Sequence, residues 1–137
     1  MSGGRRLISS GSPFEATIGF SRAVRVGDRV IVSGTAPIGP DGSVDPDPFV
    51  QAERCLEIIG GALAEAGADL SDVVRTRIFL VDAGDAGEVS AAHGRAFADV
   101  RPAATMVVVA ALLDPRWRVE IEAEAIIGSG PPPVPVR

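Results

Sequence analysis

Residues Arg101 to Ile127 read RPAATMVVVAALLDPRWRVEIEAEAII, and the architecture follows from them. In the second half Val119, Ile121, Ala123, Ala125 and Ile127 alternate with Glu120, Glu122 and Glu124, after Arg118. A period of two puts alternate side chains on opposite faces of an extended chain, so this segment is a strand with one apolar and one carboxylate-bearing face. The first half, after Arg101-Pro102, supplies another strand, and a short connection joins the two.

Upstream, Thr17 to Val26 (TIGFSRAVRV) places Ile18, Phe20, Arg22 and Val24 on one side when extended, and Arg29 to Ser33 (RVIVS) is a short apolar run bounded by Gly34. With Gly27-Asp28 as the turn between them, they predict an antiparallel hairpin. The Gly-, Pro- and Asp-rich stretch that follows is a loop, with Asp41-Gly42 at the tip of a small hairpin. Asp47-Pro48 starts a helix, since an Asp side chain caps free amides and Pro is pre-set for the first helical position. Ala52, Leu56, Ile59, Leu63 and Ala66 then recur at helical spacing up to Gly67, which ends the helix. Cys55 beside that stripe reads as a small buried thiol rather than a nucleophile. Val73 to Val81 is the next strand, with Arg75 and Arg77 on one face. Asp85 and Glu88 stand in capping-box spacing before a second helix whose inner stripe is Val89, Ala92, Ala96, Phe97 and Val100. His93, the lone histidine, has no partner at ligand spacing and reads as structural, so no metal site is expected.

The order β-β-α-β-α-β-β predicts an α+β protein, a mixed β-sheet with two helices on one face. At 137 residues the chain is read as a single domain over residues 1–127, with residues 128–137 a flexible Pro-rich tail. A net charge of -5 with scattered arginines argues against a nucleic-acid partner, and no apolar run approaches a membrane span. One cysteine and no secretory leader make the cytoplasm the expected location. All thirteen cations are Arg and there is no Tyr, which removes Schiff-base and phenol chemistry.

Two helices leave one sheet face uncovered. Glu120, Glu122 and Glu124 point to it, with Arg75 and Arg77 across from them if the two strands are neighbours. The face is then either solvated or a subunit interface with paired charges, and Phe79 and Val81 beside the arginines favour the interface.

The segments SGTAPIGPDGSV and RTRIFLVD, the helix with Gln51 near its start, and above all the PA-x-T…VEIEAEA block resemble the reactive-intermediate deaminases, the RidA or YjgF family, older name L-PSP endoribonucleases. The resemblance runs from about Phe14 to Ile127. It implies a chorismate-mutase-like fold and a homotrimer with a central β-barrel, with small-molecule ligand sites in clefts between subunits. Active members hydrolyse enamines and imines to 2-oxo acids and ammonia without a cofactor. On this pattern Glu120 falls on the pocket glutamate, the candidate catalytic group, and Ser33 on the serine of an SG motif. Phe20 takes the place of a Tyr and Met106 that of a Cys.

The family's PAR[ST] motif reads Pro102-Ala103-Ala104-Thr105 here, so Ala104 replaces the arginine that orients the substrate carboxylate. Each lost charged contact is worth on the order of 1.5–3 kcal/mol. Arg22 and Arg77 are the candidate substitutes. Arg77 either pairs with a strand glutamate or binds a ligand anion; Arg22 is either a surface or interface residue or a ligand contact; Glu120 is either a structural ion-pair partner or a pocket acid-base. The expectation is a trimer that binds a small metabolite with the standard deaminase reaction lost or altered. The alternative is a deaminase or other hydrolase on a different substrate using Glu120. A ribonuclease is disfavoured by the acidic balance and the absence of a paired-His or His–Lys arrangement.

Overall fold

The computed structural model describes residues 4–132. Its sheet has six strands: β1 (Arg5–Ile8), β2 (Ala23–Val26), β3 (Arg29–Thr35), β4 (Val73–Leu80), β5 (Ala103–Val108) and β6 (Val119–Ile126). Helix α1 (Pro48–Glu65) follows β3, and α2 (Ala86–Phe97) links β4 to β5. The spatial order is β1-β2-β3-β6-β4-β5, with every pair antiparallel except β4 and β5. Parallel neighbours need a crossover, and α2 supplies it.

The glutamate-rich strand β6 lies inside the sheet, between β3 and β4. Val119, Ile121, Ala123 and Ala125 are buried against the helices together with Val30, Val32, Ile78 and Leu80. Helix α1 begins as expected: the Asp47 carboxylate accepts from the Phe49 amide at 2.8 Å, with Pro48 at the first helical position. It ends at Gly67, whose φ of +91° is open to glycine at little cost, and the Ala68 amide closes back on the Leu63 carbonyl at 2.8 Å. Its stripe Ala52, Leu56, Ile59, Leu63 and Ala66 is buried, and so is Cys55.

Several expectations are corrected. The connection between the two strands of the Arg101–Ile127 stretch is not short: residues 109–118 form it, and it carries the chain past β4, which lies between β5 and β6. Thr17 to Gly19 is not extended but belongs to a π-helical turn over Glu15–Gly19, closed by the Phe20 amide on the Glu15 carbonyl at 2.9 Å. Only Ala23–Val26 pairs with β3, across the Gly27-Asp28 turn. A sixth strand, β1, comes from Arg5–Ile8; four residues of which three are exposed carry no alternation that marks a strand. Asp41-Gly42 forms a turn closed by the Gly39 amide on the Ser43 carbonyl at 2.8 Å, without flanking strands. Asp85 does not cap α2; its carboxylate takes a two-pronged bond from Arg118 at 2.8 and 2.9 Å. The expected tail begins at Gly128, whose amide donates to Asp72 at 3.1 Å; its residues 133–137 lie outside the described residues.

Gln51 ties these parts together. Buried in the first turn of α1, its amide nitrogen donates to the Asp45 carbonyl at 2.7 Å and the Arg116 carbonyl at 2.9 Å. Its oxygen accepts from the Arg118 amide at 2.7 Å. The entry to β6 is thereby fixed to the helix.

Both helices cover one face. On the other, register places Arg77 opposite Glu122, and their side chains meet at 2.9 Å. Arg77 also lies 3.7 Å from Glu124, which in turn faces Arg29 at 3.4 Å. Leu7, Val26, Ile31, Val107 and Ile126 stand exposed beside these pairs.

Candidate functional site

Strand β3 makes the local geometry. Val32 pairs with Ala123, but Thr35 rather than Gly34 pairs with Ile121, so one extra residue is inserted at Ser33-Gly34. Such a bulge bends the strand and leaves a backbone gap beside its neighbour. The Glu120 carboxylate occupies that gap, and a Cβ on Gly34 would overlap it. A serine–glycine pair inside an otherwise β-branched run is the sequence signal for this notch, and glycine is required here by close approach rather than by φ.

Glu120 sits opposite Phe79 in the sheet, not opposite an arginine. Among the described residues its carboxylate has no ion pair within 4 Å. Burial holds it above the usual carboxylate range, an effect offset in part by the charge of Arg22 and reinforced by Glu122. Arg22 is partly buried, just before β2. Its Nη2 donates to the Gly34 carbonyl at 2.6 Å, while Nε is buried without a partner. Burial lowers its pKa, with Glu15 and Glu120 opposing at longer range. Ser33 Oγ donates to the Ser21 carbonyl at 2.6 Å, and the Ser33 amide donates to the Arg22 carbonyl at 3.0 Å.

Next to these residues a groove of about 880 Å³ is lined by Phe20, Ser21, Ser33, Glu15, Arg5 and Leu7 among others. Arg5, Ser9, Ser12 and Glu15 were not anticipated, because β1 itself was not. Glu15 is held by Ser10, whose amide donates to it at 2.8 Å and whose hydroxyl also donates, and these bonds keep its pKa below the ordinary value.

The remaining predicted residues lie elsewhere. Ala104, Thr105 and Met106 are on β5, the opposite margin of the sheet, with Ala104 and Thr105 exposed. Two strands intervene between β3 and β5, roughly 14 Å at ordinary strand spacing, while Glu120 on β6 is separated from β5 by β4 alone, roughly 10 Å. Arg77 pairs with Glu122 on the open face. The chain thus brings together Phe20, Arg22, Ser33 and Glu120, and leaves Ala104, Thr105 and Met106 apart from them.

Register puts Ala104 beside Thr76 on the helix side. Thr76 Oγ1 and His93 Nε2 are 2.9 Å apart, and the His93 ring tilts against Phe97 with centroids 4.7 Å apart. Burial lowers the His93 pKa. Cys55 is pushed up to about 12, mainly by burial and secondarily by the charge of Glu120, so it is inert. Among the described residues no group of three or more His, Cys, Asp or Glu side chains could hold a metal ion, and no helix is long and apolar enough to cross a membrane.

The fold is an α+β mixed sheet with one open face, and comparison with known proteins specifies its class further. A family model described as endoribonuclease L-PSP matches residues 11–127. The crystal structure of Rv2704 from Mycobacterium tuberculosis, a member of the YjgF/YER057c/UK114 family, superposes with a TM-score of 0.84 at 45% identity, over 90% of this chain and 100% of that one. SCO2049 of Streptomyces coelicolor is 40% identical over 125 residues, 90% of this chain and 93% of its own. The 2-iminobutanoate/2-iminopropanoate deaminase of Mus musculus is 37% identical over 127 residues, covering 90% and 93%. The chain belongs to the RidA/YjgF family, matched by the L-PSP model.

Proposed function

We propose that this protein is a homotrimeric member of its family that binds a small metabolite in clefts between subunits, with the standard imine deaminase reaction lost or altered. The observation that carries this reading is Ala104: the β5 position where the resemblance expects the carboxylate-orienting arginine holds an exposed methyl group. The separation of the candidate residues supports a shared cleft. Phe20, Arg22, Ser33 and Glu120 gather on the β2–β3–β6 side and Ala104, Thr105 and Met106 on the β5 margin, so a complete site needs β5 of a neighbouring copy. The open face, with its paired Arg77 and Glu122 and its exposed Leu7, Ile31 and Val107, suits burial in a central barrel. Residues 1–127 act in this reading as one cofactor-free cytoplasmic domain, without a nucleic-acid or membrane partner.

An imino acid formed in place by an amino-acid oxidase provides the test, with 2-oxo acid release as the readout. Release at the uncatalysed rate is expected; strong acceleration by this protein would overturn the reading. A second reading is favoured by Glu120, a half-buried carboxylate without an ion pair among the described residues and held above the ordinary range by burial. In it, Glu120 moves protons for C–N hydrolysis of a less anionic substrate. Glu120→Gln must abolish any hydrolysis found; retained activity in an intact trimer excludes this role.

A further inference from the structure

We propose that Arg22 is the anion anchor of this site, so that a small monocarboxylate binds with its carboxylate on the β2–β3 side, beside Glu120, and its other end toward the β5 margin. The inference rests on the cleft reading above and specifies the ligand and its direction. Arg22 is a partly buried cation without a counterion in contact. One of its five N–H donors is spent on the Gly34 carbonyl, Nε is buried and unpartnered, and no carboxylate comes within 4 Å among the described residues. A charge taken out of water without a partner is costly, and a bidentate carboxylate is the partner a guanidinium fork fits best.

The near carboxylates do not serve. Glu15 is taken up by the Ser10 amide and hydroxyl, and Glu120 is lodged in the Gly34 notch. The neighbouring groove offers the Ser21 and Ser33 region as polar wall, Phe20 as apolar wall and Arg5 as a second cation.

The test is a titration of the isotope-labelled protein with pyruvate and with pyruvamide, its neutral isostere, following the Phe20 and Ser33 amide resonances. Pyruvate is expected to shift both and to bind about 10- to 100-fold more tightly than pyruvamide, the range for a hydrogen bond to a charged group. Arg22→Gln should reduce pyruvate to the pyruvamide level, and Arg22→Lys should recover part of the loss, because an ammonium keeps the charge but not the fork. Equal binding of the two probes by the unaltered protein would overturn the assignment even if the Gln variant failed to fold, and so would undiminished pyruvate binding in a folded Arg22→Gln. Equal shifts at Phe20 and Ser33 leave the cleft reading standing and remove Arg22 alone. Absence of shifts at either residue with both probes removes the two together.

Discussion

Replacing Gln51 by Leu keeps the volume in the first turn of α1 and removes three hydrogen bonds. The Asp45 and Arg116 carbonyls belong to exposed residues and regain water in part, whereas the Arg118 amide at the mouth of β6 is less accessible. Taking about 1 kcal/mol for each carbonyl and about 2 kcal/mol for the stranded amide, less about 1 kcal/mol for the more apolar side chain, the loss is about 3 kcal/mol. For a chain of this size that lowers the melting midpoint by about 10 °C. Guanidinium unfolding at one fixed protein concentration reads the difference. Gln51→Glu adds a check on sign. Its ionised carboxylate would face two carbonyl oxygens and lose both donors, so its folded pKa is raised above the unfolded carboxylate value. Its stability relative to Gln51→Leu should therefore be greatest below the unfolded pKa, about 4.3, and fall as pH rises through the folded value. A Leu variant within about 0.5 kcal/mol of the parent, the scatter of an ordinary surface change, would show that the amide is no clamp.

Ala104→Arg should raise 2-oxo acid release in the oxidase-coupled assay at least about tenfold if the missing guanidinium limits the reaction, the lower bound for one charged contact; an unchanged rate would assign the loss elsewhere. Cys55, held at about 12, should resist alkylation at pH 8 until the protein unfolds, and fast native labelling would contradict its burial. His93 is shifted down by burial, so the unfolded chain takes up its proton first. Stability present above the unfolded value near 6.5 should be lost as pH falls through the folded value, and His93→Gln should flatten that part of the curve in urea titrations.

The strand β6 and helix α1 were legible because each carries a strong period and α1 carries its own cap. That Arg77 pairs with a strand glutamate was one of two open readings, and the β4–β6 register makes the partner Glu122. What stayed hidden has no period. Strand β1 is four residues long and mostly exposed, the π-helical turn at Glu15–Gly19 looks like any mixed stretch, and Asp85 answers to Arg118, thirty-three residues away, instead of its own helix. Of the candidate residues, Glu120 could be placed on a face by alternation. Its isolation could not, because it depends on Phe79 standing opposite and on a bulge that displaces Gly34. The groove beside Phe20 was invisible because its far wall is β1.

The division of the candidate residues between the interior strands β3 and β6 and the β5 edge of one sheet has a genetic corollary for the cleft proposed between neighbouring copies. A copy damaged at Glu120 still lends a sound β5, and a copy damaged on β5 still lends a sound Glu120. Mixed assemblies of the two would regain some intact sites, so two alleles that each destroy ligand binding would complement one another when expressed together, whereas two alleles damaged on the same side of the site would not.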